Sequence, residues 1–349
     1  MRLERLTPGR RPPPALVGSV LARDLVVGRS RWSKGRRLSS ADLDAWAADP
    51  SLGVGPVTVI VLDKGDLHED DAALRLADAV AGAGLTRRGP VQSRVDLLAD
   101  HDGVLHVRAA ELERLNRIDP LEVFTRLDGS IVAAGDVVAS VKVAPHVVEG
   151  SAVAAGVRIA ADGARPLVRV APFRPMRVAV IVKESLRAAD RPRFERSVRD
   201  KVESLGSEVV AIDYVVDADA PVTAALATRA RGRARANVIL TAGGRSTDPS
   251  DPFFNAIEAL GGRIVRHGVP AHPGSMLWLA RIGRTAILGL PTCGAYSKAT
   301  AADLLLPRLL TGEPATRRTV SHLGHGGVLT REMRFRFPPY ARELDAPDG

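Results

Sequence analysis

Three short segments of the sequence combine glycine with hydroxyl-bearing or charged side chains, a combination that suits an anionic ligand. The first segment is Thr241-Ala242-Gly243-Gly244-Arg245-Ser246-Thr247-Asp248. Two successive glycines let the backbone approach a ligand closely and direct N–H groups at a phosphate. Thr241 and Ser246 add hydroxyls, and Arg245 adds a guanidinium that can contact a phosphate through two N–H groups. This segment is therefore the main candidate for phosphate binding.

Two further segments have a similar composition. They are His272-Pro273-Gly274-Ser275 and Pro291-Thr292-Cys293-Gly294-Ala295-Tyr296-Ser297-Lys298. In the second of these, Ser297 can cap a helix that follows, and Lys298 can reach an anion. Each segment alone is more typical of an ordinary turn. Three of them within one region favour a binding site.

All three segments lie where predicted strands alternate with predicted helices. The predicted strands cover residues 177–182, 209–212, 237–240, 264–265, 277–282 and 285–290, and the helices cover about 194–205, 221–230, 252–260 and 298–310. This alternation predicts βαβ units and a mostly parallel sheet covered on both faces. Ligands bind such sheets at the carboxyl ends of the strands, beside helix N-termini. The sequence thus predicts a three-layer α/β/α domain over residues 174–315.

The first half of the chain is less periodic and predicts an N-terminal α+β domain over residues 1–173. Val57–Leu62 is typical of a strand, and Glu69–Ala83 of an amphipathic helix that begins with acidic residues, as the helix dipole prefers. Prolines at 166, 172 and 175 indicate the boundary between the domains. After Pro314 the chain becomes rich in Arg and Gly, which predicts a polar C-terminal tail over residues 316–349.

The net charge of +9, from 49 Lys and Arg against 40 Asp and Glu, favours an anionic partner. That partner could be a phosphorylated small molecule, a nucleic acid or an acidic protein, and an Arg-rich composition without functional meaning is the alternative. Only 4% of residues are aromatic, and the sequence lacks a recognition motif for nucleic acid. A phosphorylated small molecule is therefore the favoured partner, and nucleic acid ranks well below it.

The single cysteine excludes an intramolecular disulfide and a cysteine-clustered zinc site. No run of about 18 apolar residues predicts a membrane span. The basic, proline-rich start from Met1 to Pro14 is also a poor signal peptide. These features predict a cytoplasmic protein without a membrane partner.

Taken in order, the segments resemble the molybdopterin-binding (MoaB/Mog-like) domain. The shared pattern is the Thr-Ala-Gly-Gly segment, then His267-Gly268-Val269, His272-Pro273-Gly274 and Gly289-Leu290-Pro291. Its order and spacing are most similar to those of molybdopterin molybdenumtransferases. Gly65–Asp70 and Leu115–Asp119 are similar to segments of molybdopterin-binding proteins that are sometimes fused to a cytidylyltransferase-like domain.

This resemblance implies that the ligand is molybdopterin, a pterin phosphate, with Mg²⁺ and molybdate as further ions. The residues carried over as pterin contacts are Thr241, Gly243, Gly244, Ser246, Pro273, Gly274 and Pro291. Asp248 and Asp251 are the candidate acids for magnesium and catalysis. Cys293 could contact a metal as a soft thiolate, or be a small buried residue in a tight loop. A molybdoenzyme or a cytidylyltransferase is the implied protein partner, and the family implies self-association.

Two departures from the family pattern bear on the choice of activity. Arg245 follows the glycine pair where the family has a small residue, and Pro291-Thr292-Cys293-Gly294 stands where the transferase has Pro-Gly-Asn-Pro. Both departures affect molybdenum insertion more than pterin binding. The main hypothesis is therefore a carrier or accessory factor for the molybdenum cofactor. The alternative is a magnesium-dependent molybdopterin adenylyltransferase or molybdenumtransferase.

Overall fold

The computed structural model describes residues 1–49, 55–183, 189–290, 299–314 and 316–341. The chain divides into two compact units. The first comprises Met1–His101, Leu105–Asp128 and Ala133–Val170, and the second comprises Asp102–Val104, Gly129–Val132 and Ala171–Gly349. No helix of the described residues is long and apolar enough to cross a membrane.

Residues 1–172 contain short strands and four helices among those described. The strands are β1 (Arg2–Leu6), β2 (Val20–Leu21), β3 (Leu25–Val27), β4 (Ser30–Trp32), β5 (Val57–Val61), β6 (Asp66–His68), β7 (Leu85–Val91), β8 (Arg94–Ala99), β9 (Gly103–Val107), β10 (Leu121–Thr125), β11 (Ile131–Val132), β12 (Val137–Val143), β13 (Val147–Glu149) and β14 (Val168–Pro172). The helices are α1 (Ser40–Ala48), α2 (Glu69–Val80), α3 (Ala109–Asn116) and α4 (Gly150–Ala161).

The first unit has antiparallel sheets with helices packed on them, as the α+β prediction expects. The strand orders are β1-β5-β2 and β10-β12-β8-β7, with the smaller pairs β3-β4 and β6-β13. Helix α2 begins at Glu69 and buries Ala73, Leu76 and Val80, at helical spacing, on the side that faces β8 and β12. Trp46 on α1 is fully buried in a separate cluster with residues of β1 and β5.

The second unit contains the alternation that the sequence predicts. Its strands are β15 (Arg177–Val182), β16 (Glu208–Tyr214), β17 (Val238–Ala242), β18 (Arg263–His267), β19 (Trp278–Ile282) and β20 (Thr285–Gly289). Its helices are α5 (Arg191–Glu203), α6 (Asp219–Ala230), α7 (Pro252–Ala259), α8 (Ala302–Leu310) and α9 (Arg317–Ser321).

The six strands of the second unit form one sheet in the order β16-β15-β17-β20-β19-β18. β15 pairs in parallel with β16 and β17, and β17 pairs in parallel with β20. β19 runs antiparallel to both of its neighbours and forms a hairpin with β20 through Gly283-Arg284. The sheet is therefore mostly parallel, as predicted.

Helices cover both faces of this sheet, because its central strands are apolar on both sides. Alternate residues of β17 enter opposite cores: Leu240 packs with α5 and α8, and Ile239 packs with α6 and α7. On the first face Phe194 and Leu305 are almost fully buried, and on the second face Leu226 and Phe253 are. This arrangement confirms the three-layer α/β/α fold.

The segment after Pro314 differs from the polar tail that the sequence predicts. Val320, Leu323, Leu329, Phe337 and Ala341 are buried in the same core as α5 and α8. The segment contains α9 and three short 3-10 helices, and Val320 lies in α9 itself. The apolar residues are spaced irregularly among Arg and Gly, and therefore leave no periodic pattern in the sequence.

Candidate functional site

The parallel strands of the second unit end along one edge of the sheet. Val182 at the end of β15 pairs with Ala242 at the end of β17, and Thr241 pairs with Gly289 at the end of β20. The backbone N–H of Lys183 donates to the carbonyl of Ala242, so β15 and β17 remain together one residue beyond their ends. Lys183, Gly243 and Leu290, which directly follow these strands, consequently lie along the same edge of the sheet.

The segment that follows β17, residues 243–251, is called here the Gly-Gly loop. Gly243 has a φ of +83°, a left-handed conformation that favours glycine. A Cβ on Gly244 would lie 3.5 Å from Phe253 and from Trp278, which is an ordinary contact distance. The packing of the loop thus requires glycine at 243 but not at 244.

Asp251 fixes the far end of the Gly-Gly loop. Its Oδ1 accepts the N–H of Phe253 at 2.9 Å, which caps helix α7, and its Oδ2 accepts the N–H of Arg245 at 2.7 Å. The Asp251 side chain is buried. Asp251 therefore ties the start of α7 to the residue that follows the glycine pair.

Two cations connect Asp251 with a second carboxylate. The Nζ of Lys183 lies 2.8 Å from Asp251 Oδ2 and 2.8 Å from Asp217 Oδ1. Arg245 Nη1 lies 3.2 Å from Asp217 Oδ2, and Arg245 Nε lies 3.4 Å from Asp248 Oδ2. These five residues form a charged network across the ends of β15, β16 and β17.

Asp248 is a half-buried member of the network, with a side chain that is 35% exposed. The Ser250 hydroxyl, followed by the Ser250 backbone N–H, lowers the pKa of the Asp248 carboxyl below its ordinary value. The nearby charges of Arg245 and Lys183 act in the same direction. Asp248 is consequently a carboxylate at neutral pH.

Aromatic side chains lie beside the loop. Phe254 packs edge-on against Trp278, with ring centroids 5.2 Å apart, and against His267, with centroids 4.7 Å apart. His267 Nε2 donates to the carbonyl of Ser246 at 2.7 Å. A Cβ on Gly289 would lie 2.1 Å from Trp278, so glycine at 289 leaves the space that the indole occupies. The Gly-Gly loop is thus held by His267 at Ser246 and by Asp251 at Arg245.

Thr241 carries a buried hydroxyl that has no hydrogen-bond partner in the described structure. Its side chain is fully buried, and its Oγ1 neither donates nor accepts there. Buried polar groups in native proteins are nearly always paired. This unpaired hydroxyl lies at the end of β17, directly before the Gly-Gly loop.

Pro273 and Gly274 make a different set of contacts. The carbonyl of Pro273 accepts the N–H of Ala301 at 2.9 Å. Gly274 has a φ of +103°, and a Cβ there would lie 2.8 Å from the Ala301 nitrogen. Packing against residues 300 and 301 therefore accounts for the conformation of both residues.

Residues 184–311 match a family model described as "Probable molybdopterin binding domain". The match extends from the end of β15 to the end of α8, and thus includes the Gly-Gly loop. The second half of this chain carries a MoaB/Mog-like molybdopterin-binding domain. This result confirms the resemblance inferred from the sequence.

Three solved structures are similar to parts of the chain, each with a TM-score of 0.31. Molybdenum cofactor biosynthesis protein B is 16% identical, over 40% of this chain and 96% of its own. The molybdopterin biosynthesis MoeA protein from Pyrococcus horikosii is 17% identical, over 74% and 81%. The molybdopterin biosynthesis enzyme MoaB from Thermus thermophilus is 23% identical, over 40% and 98%. A comparison with curated proteins gave no match.

The sequence-predicted residues fall into three groups in the molybdopterin-binding domain. The Gly-Gly loop and the strand end before it contain Thr241, Gly243, Gly244, Arg245, Ser246, Asp248 and Asp251. Pro273 and Gly274 form the second group, packed on residues 300 and 301. The remaining four, Pro291, Cys293, Ser297 and Lys298, lie outside the described residues.

Lys183, Asp217 and Trp278 belong to the site of the molybdopterin-binding domain but do not stand out in the sequence. Lys183 follows the predicted strand 177–182 directly, and Asp217 follows the next strand by three residues. Polar residues just after buried parallel strands are the signal that could have found the first two. Trp278 carries no such signal, because it lies within a strand.

The carboxylates that the structure describes beside the Gly-Gly loop do not fit a magnesium ion. Mg²⁺ binds one or two carboxylates together with waters and phosphate oxygens. Asp217, Asp248 and Asp251, the carboxylates described beside the Gly-Gly loop, each already contact Lys183, Arg245 or Ser250. Among the residues that the structure describes, no group of three His, Cys, Asp or Glu could hold a metal ion.

Proposed function

We propose that this molybdopterin-binding domain binds molybdopterin, or its nucleotide-linked form, at the Gly-Gly loop. The chain would act as a carrier or accessory factor in molybdenum cofactor biosynthesis or in delivery of the cofactor to molybdoenzymes. The observation that supports this most directly is the buried, unpaired hydroxyl of Thr241. A ligand phosphate or pterin oxygen at the strand end would supply the partner that this hydroxyl lacks.

The backbone around Thr241 supports the same proposal. Gly243 turns the chain in a left-handed conformation, and the N–H groups of a loop with this geometry can point at one anion. Gly244 has no packing reason to be glycine, which is consistent with close approach of a ligand to the backbone. Because Asp251 and His267 hold the loop, little ordering would be needed on binding.

Arg245 gives the loop its positive charge. Its side chain is 55% exposed, so the guanidinium can reach a ligand as well as Asp217 and Asp248. A guanidinium can bind two phosphate oxygens at once. Ser246 follows directly and adds a further hydroxyl. We assign the phosphate to Thr241, Gly243, Gly244, Arg245 and Ser246.

The test is anaerobic calorimetric titration with molybdopterin and with its adenylated and cytidylated forms. Thr241→Val removes the hydroxyl without changing the shape of the side chain. A lost hydrogen bond to a charged ligand should lower affinity about tenfold. The stability of the variant should be unchanged or higher, since a buried unpaired group is removed.

Thr285→Val is the matched control. Thr285 is also fully buried, but its hydroxyl donates to the carbonyl of Ala236 at 2.8 Å, at the opposite edge of the sheet. That variant should lose about 1 kcal/mol of stability and keep its affinity. Unchanged affinity in Thr241→Val would contradict the assignment, and no binding by the intact chain would contradict the function. A magnesium-dependent change in the bound nucleotide would indicate a transferase.

The protein partners are proposed on the family alone. We expect self-association, and a molybdoenzyme or a cytidylyltransferase as the partner that receives or modifies the pterin. Analytical ultracentrifugation of the intact chain, with and without molybdopterin, tests the first expectation. A single species of 37.0 kDa in both conditions would contradict it.

A further inference from the structure

We propose that Arg245 takes the place of a divalent cation in this domain: it bridges the carboxylates at the strand ends to the phosphate of the ligand. The contact between Arg245 and a ligand phosphate rests on the proposed function. The contacts between Arg245 and the carboxylates rest on the charged network itself. In many phosphate sites a magnesium ion makes that bridge, with carboxylates on one side and phosphate oxygens on the other.

Lys183 joins two carboxylates, and Asp251 is the buried one of the two. Asp251 uses Oδ1 for the N–H of Phe253 and Oδ2 for the N–H of Arg245 and the Nζ of Lys183. Its side chain is 1% exposed, and that of Lys183 is 0% exposed. A metal ion could reach Asp251 only by displacing hydrogen bonds that fix the loop and cap α7. Asp251 is therefore a positioning residue and not a metal ligand.

Asp217 and Asp248 are more exposed to solvent than Asp251. Asp217 is 36% exposed; its Oδ1 contacts Lys183 and its Oδ2 contacts Arg245 Nη1. Asp248 is 35% exposed; its Oδ1 accepts a hydrogen bond from the Ser250 hydroxyl and its Oδ2 contacts Arg245 Nε. The Arg245 guanidinium thus lies between the two carboxylates that a cation could otherwise bridge.

The charged network has a net negative formal charge even with Arg245 present. Three carboxylates against Lys183 and Arg245 leave these five groups at a formal charge of −1 (two positive, three negative). Without Arg245 the formal charge would be −2, and two carboxylates would lose their shared partner. The network would then attract a divalent cation more strongly. The contacts described use Nη1 and Nε of Arg245, so Nη2 remains to donate to a phosphate.

The experiment measures Mn²⁺ binding directly, by the electron paramagnetic resonance signal of the free ion, on the full chain without pterin. Mn²⁺ stands in for Mg²⁺ because both prefer six oxygen ligands. We expect Arg245→Ala to bind Mn²⁺ at least about tenfold more tightly than the intact chain, a gain expected from one unit of charge at close range. Arg284→Ala is the charge-matched control, in the exposed hairpin turn at the opposite edge of the sheet.

Arg245→Lys keeps the charge and should bind Mn²⁺ as weakly as the intact chain. Equal Mn²⁺ affinity in the intact chain and in Arg245→Ala would overturn the proposal. A second arm titrates molybdopterin in EDTA and in excess Mg²⁺, with equal affinity expected. Binding only with Mg²⁺ would overturn the inference but not the proposed function. Binding in neither solution would overturn the function, and the Mn²⁺ arm would still decide whether Arg245 occupies the cation position.

Discussion

Among its described residues the second unit contains two buried lysines, each in contact with a buried aspartate, and the two pairs differ in what surrounds them. Lys201 on α5 lies 2.6 Å from Asp303 on α8, with side chains 4% and 1% exposed. Lys183 contacts Asp251, which is equally buried, but it also contacts Asp217, which is 36% exposed. Lys201 and Asp303, called here the closed pair, match one buried cation with one buried carboxylate. Lys183 and Asp251 belong instead to the charged network, called here the open network, which reaches the surface of the Gly-Gly loop through Arg245.

The difference separates a structural role from a functional one. Asp303 accepts the N–H of Thr300 with its second oxygen and lies near Tyr340, so its contacts lie within the core that α5, α8 and the C-terminal segment share. Asp251 uses its second oxygen to hold the segment that we propose binds phosphate. A buried ion pair is by itself weak support for function, because the desolvation of two charges offsets much of their attraction. Connection to an exposed loop is what distinguishes Lys183.

The largest effect is expected when the closed pair is broken. Lys201→Met leaves the Asp303 carboxylate buried without its cation, which should cost about 3–5 kcal/mol of unfolding free energy. Urea unfolding of the full chain measures this loss. Molybdopterin affinity should not change, because Lys201 lies outside the charged network at the strand ends.

The double variant Lys201→Met/Asp303→Asn is the control for this prediction. It removes both charges and should recover at least half of the loss, since no unpaired charge stays buried. An equal loss in the single and double variants would show that lysine packing, and not the ion pair, stabilises this part of the core.

Compared with breaking the closed pair, breaking the open network should lower the free energy of unfolding by less and should weaken molybdopterin binding more. Lys183→Met removes one partner of Asp251, but Asp251 keeps two backbone N–H donors and Asp217 can be solvated. A loss of about 2 kcal/mol is expected, which is typical of one hydrogen bond to a charged group. Unlike Lys201→Met, this variant should also weaken molybdopterin binding, because the Gly-Gly loop is less well held. Paired unfolding and calorimetry experiments test the contrast, and a larger stability loss than in Lys201→Met would contradict it.

Much of this contrast could be predicted from the sequence, but the pairing of the residues could not. The β-branched runs at 177–182 and 237–240 predict the strands, and the glycine pair predicts the loop. Asp251-Pro252 before an apolar run is also a helix N-cap signature, and it indicates the structural role that Asp251 has. Its interpretation as a possible catalytic acid therefore remains a hypothesis that its contacts do not favour.

The contacts of Lys183 depend on strand order, which local patterns do not specify. Lys183 meets Asp217 and Asp251 because β15 lies between β16 and β17 in the sheet. The same limit applies to Lys201 and Asp303, which are 102 residues apart in the chain. The burial of the segment after Pro314 cannot be predicted from the sequence for a related reason, because its five buried apolar residues have no regular spacing.

A third prediction uses pH to probe the closed pair. Tyr340 is fully buried, and burial together with the nearby Asp303 carboxylate raises the pKa of its phenol well above 10.0. The folded chain therefore favours the protonated phenol, and this contribution to stability is complete below pH 10 and is lost as pH rises further. The loss should approach about 1.4 kcal/mol per pH unit for one proton. Tyr340→Phe should remove this slope between pH 10 and 11 in urea unfolding, and an unchanged slope would contradict the assignment.

The smallest effect is expected at the exposed end of the open network. The Ser250 hydroxyl and N–H, with help from Arg245, lower the pKa of Asp248 below 3.8. A lowered pKa means that the contribution of Asp248 to stability is present above pH 3.8 and is lost as pH falls through the folded-state pKa. Asp248→Asn should therefore be slightly less stable than the intact chain at pH 6, and the difference should shrink as pH falls below 3.8. Because Asp248 and Arg245 are partly exposed, salt should screen their attraction, and the difference at pH 6 should shrink in 1 M NaCl. A difference that persisted in high salt would assign it to the Ser250 hydrogen bonds, and the open network would then end at Asp217.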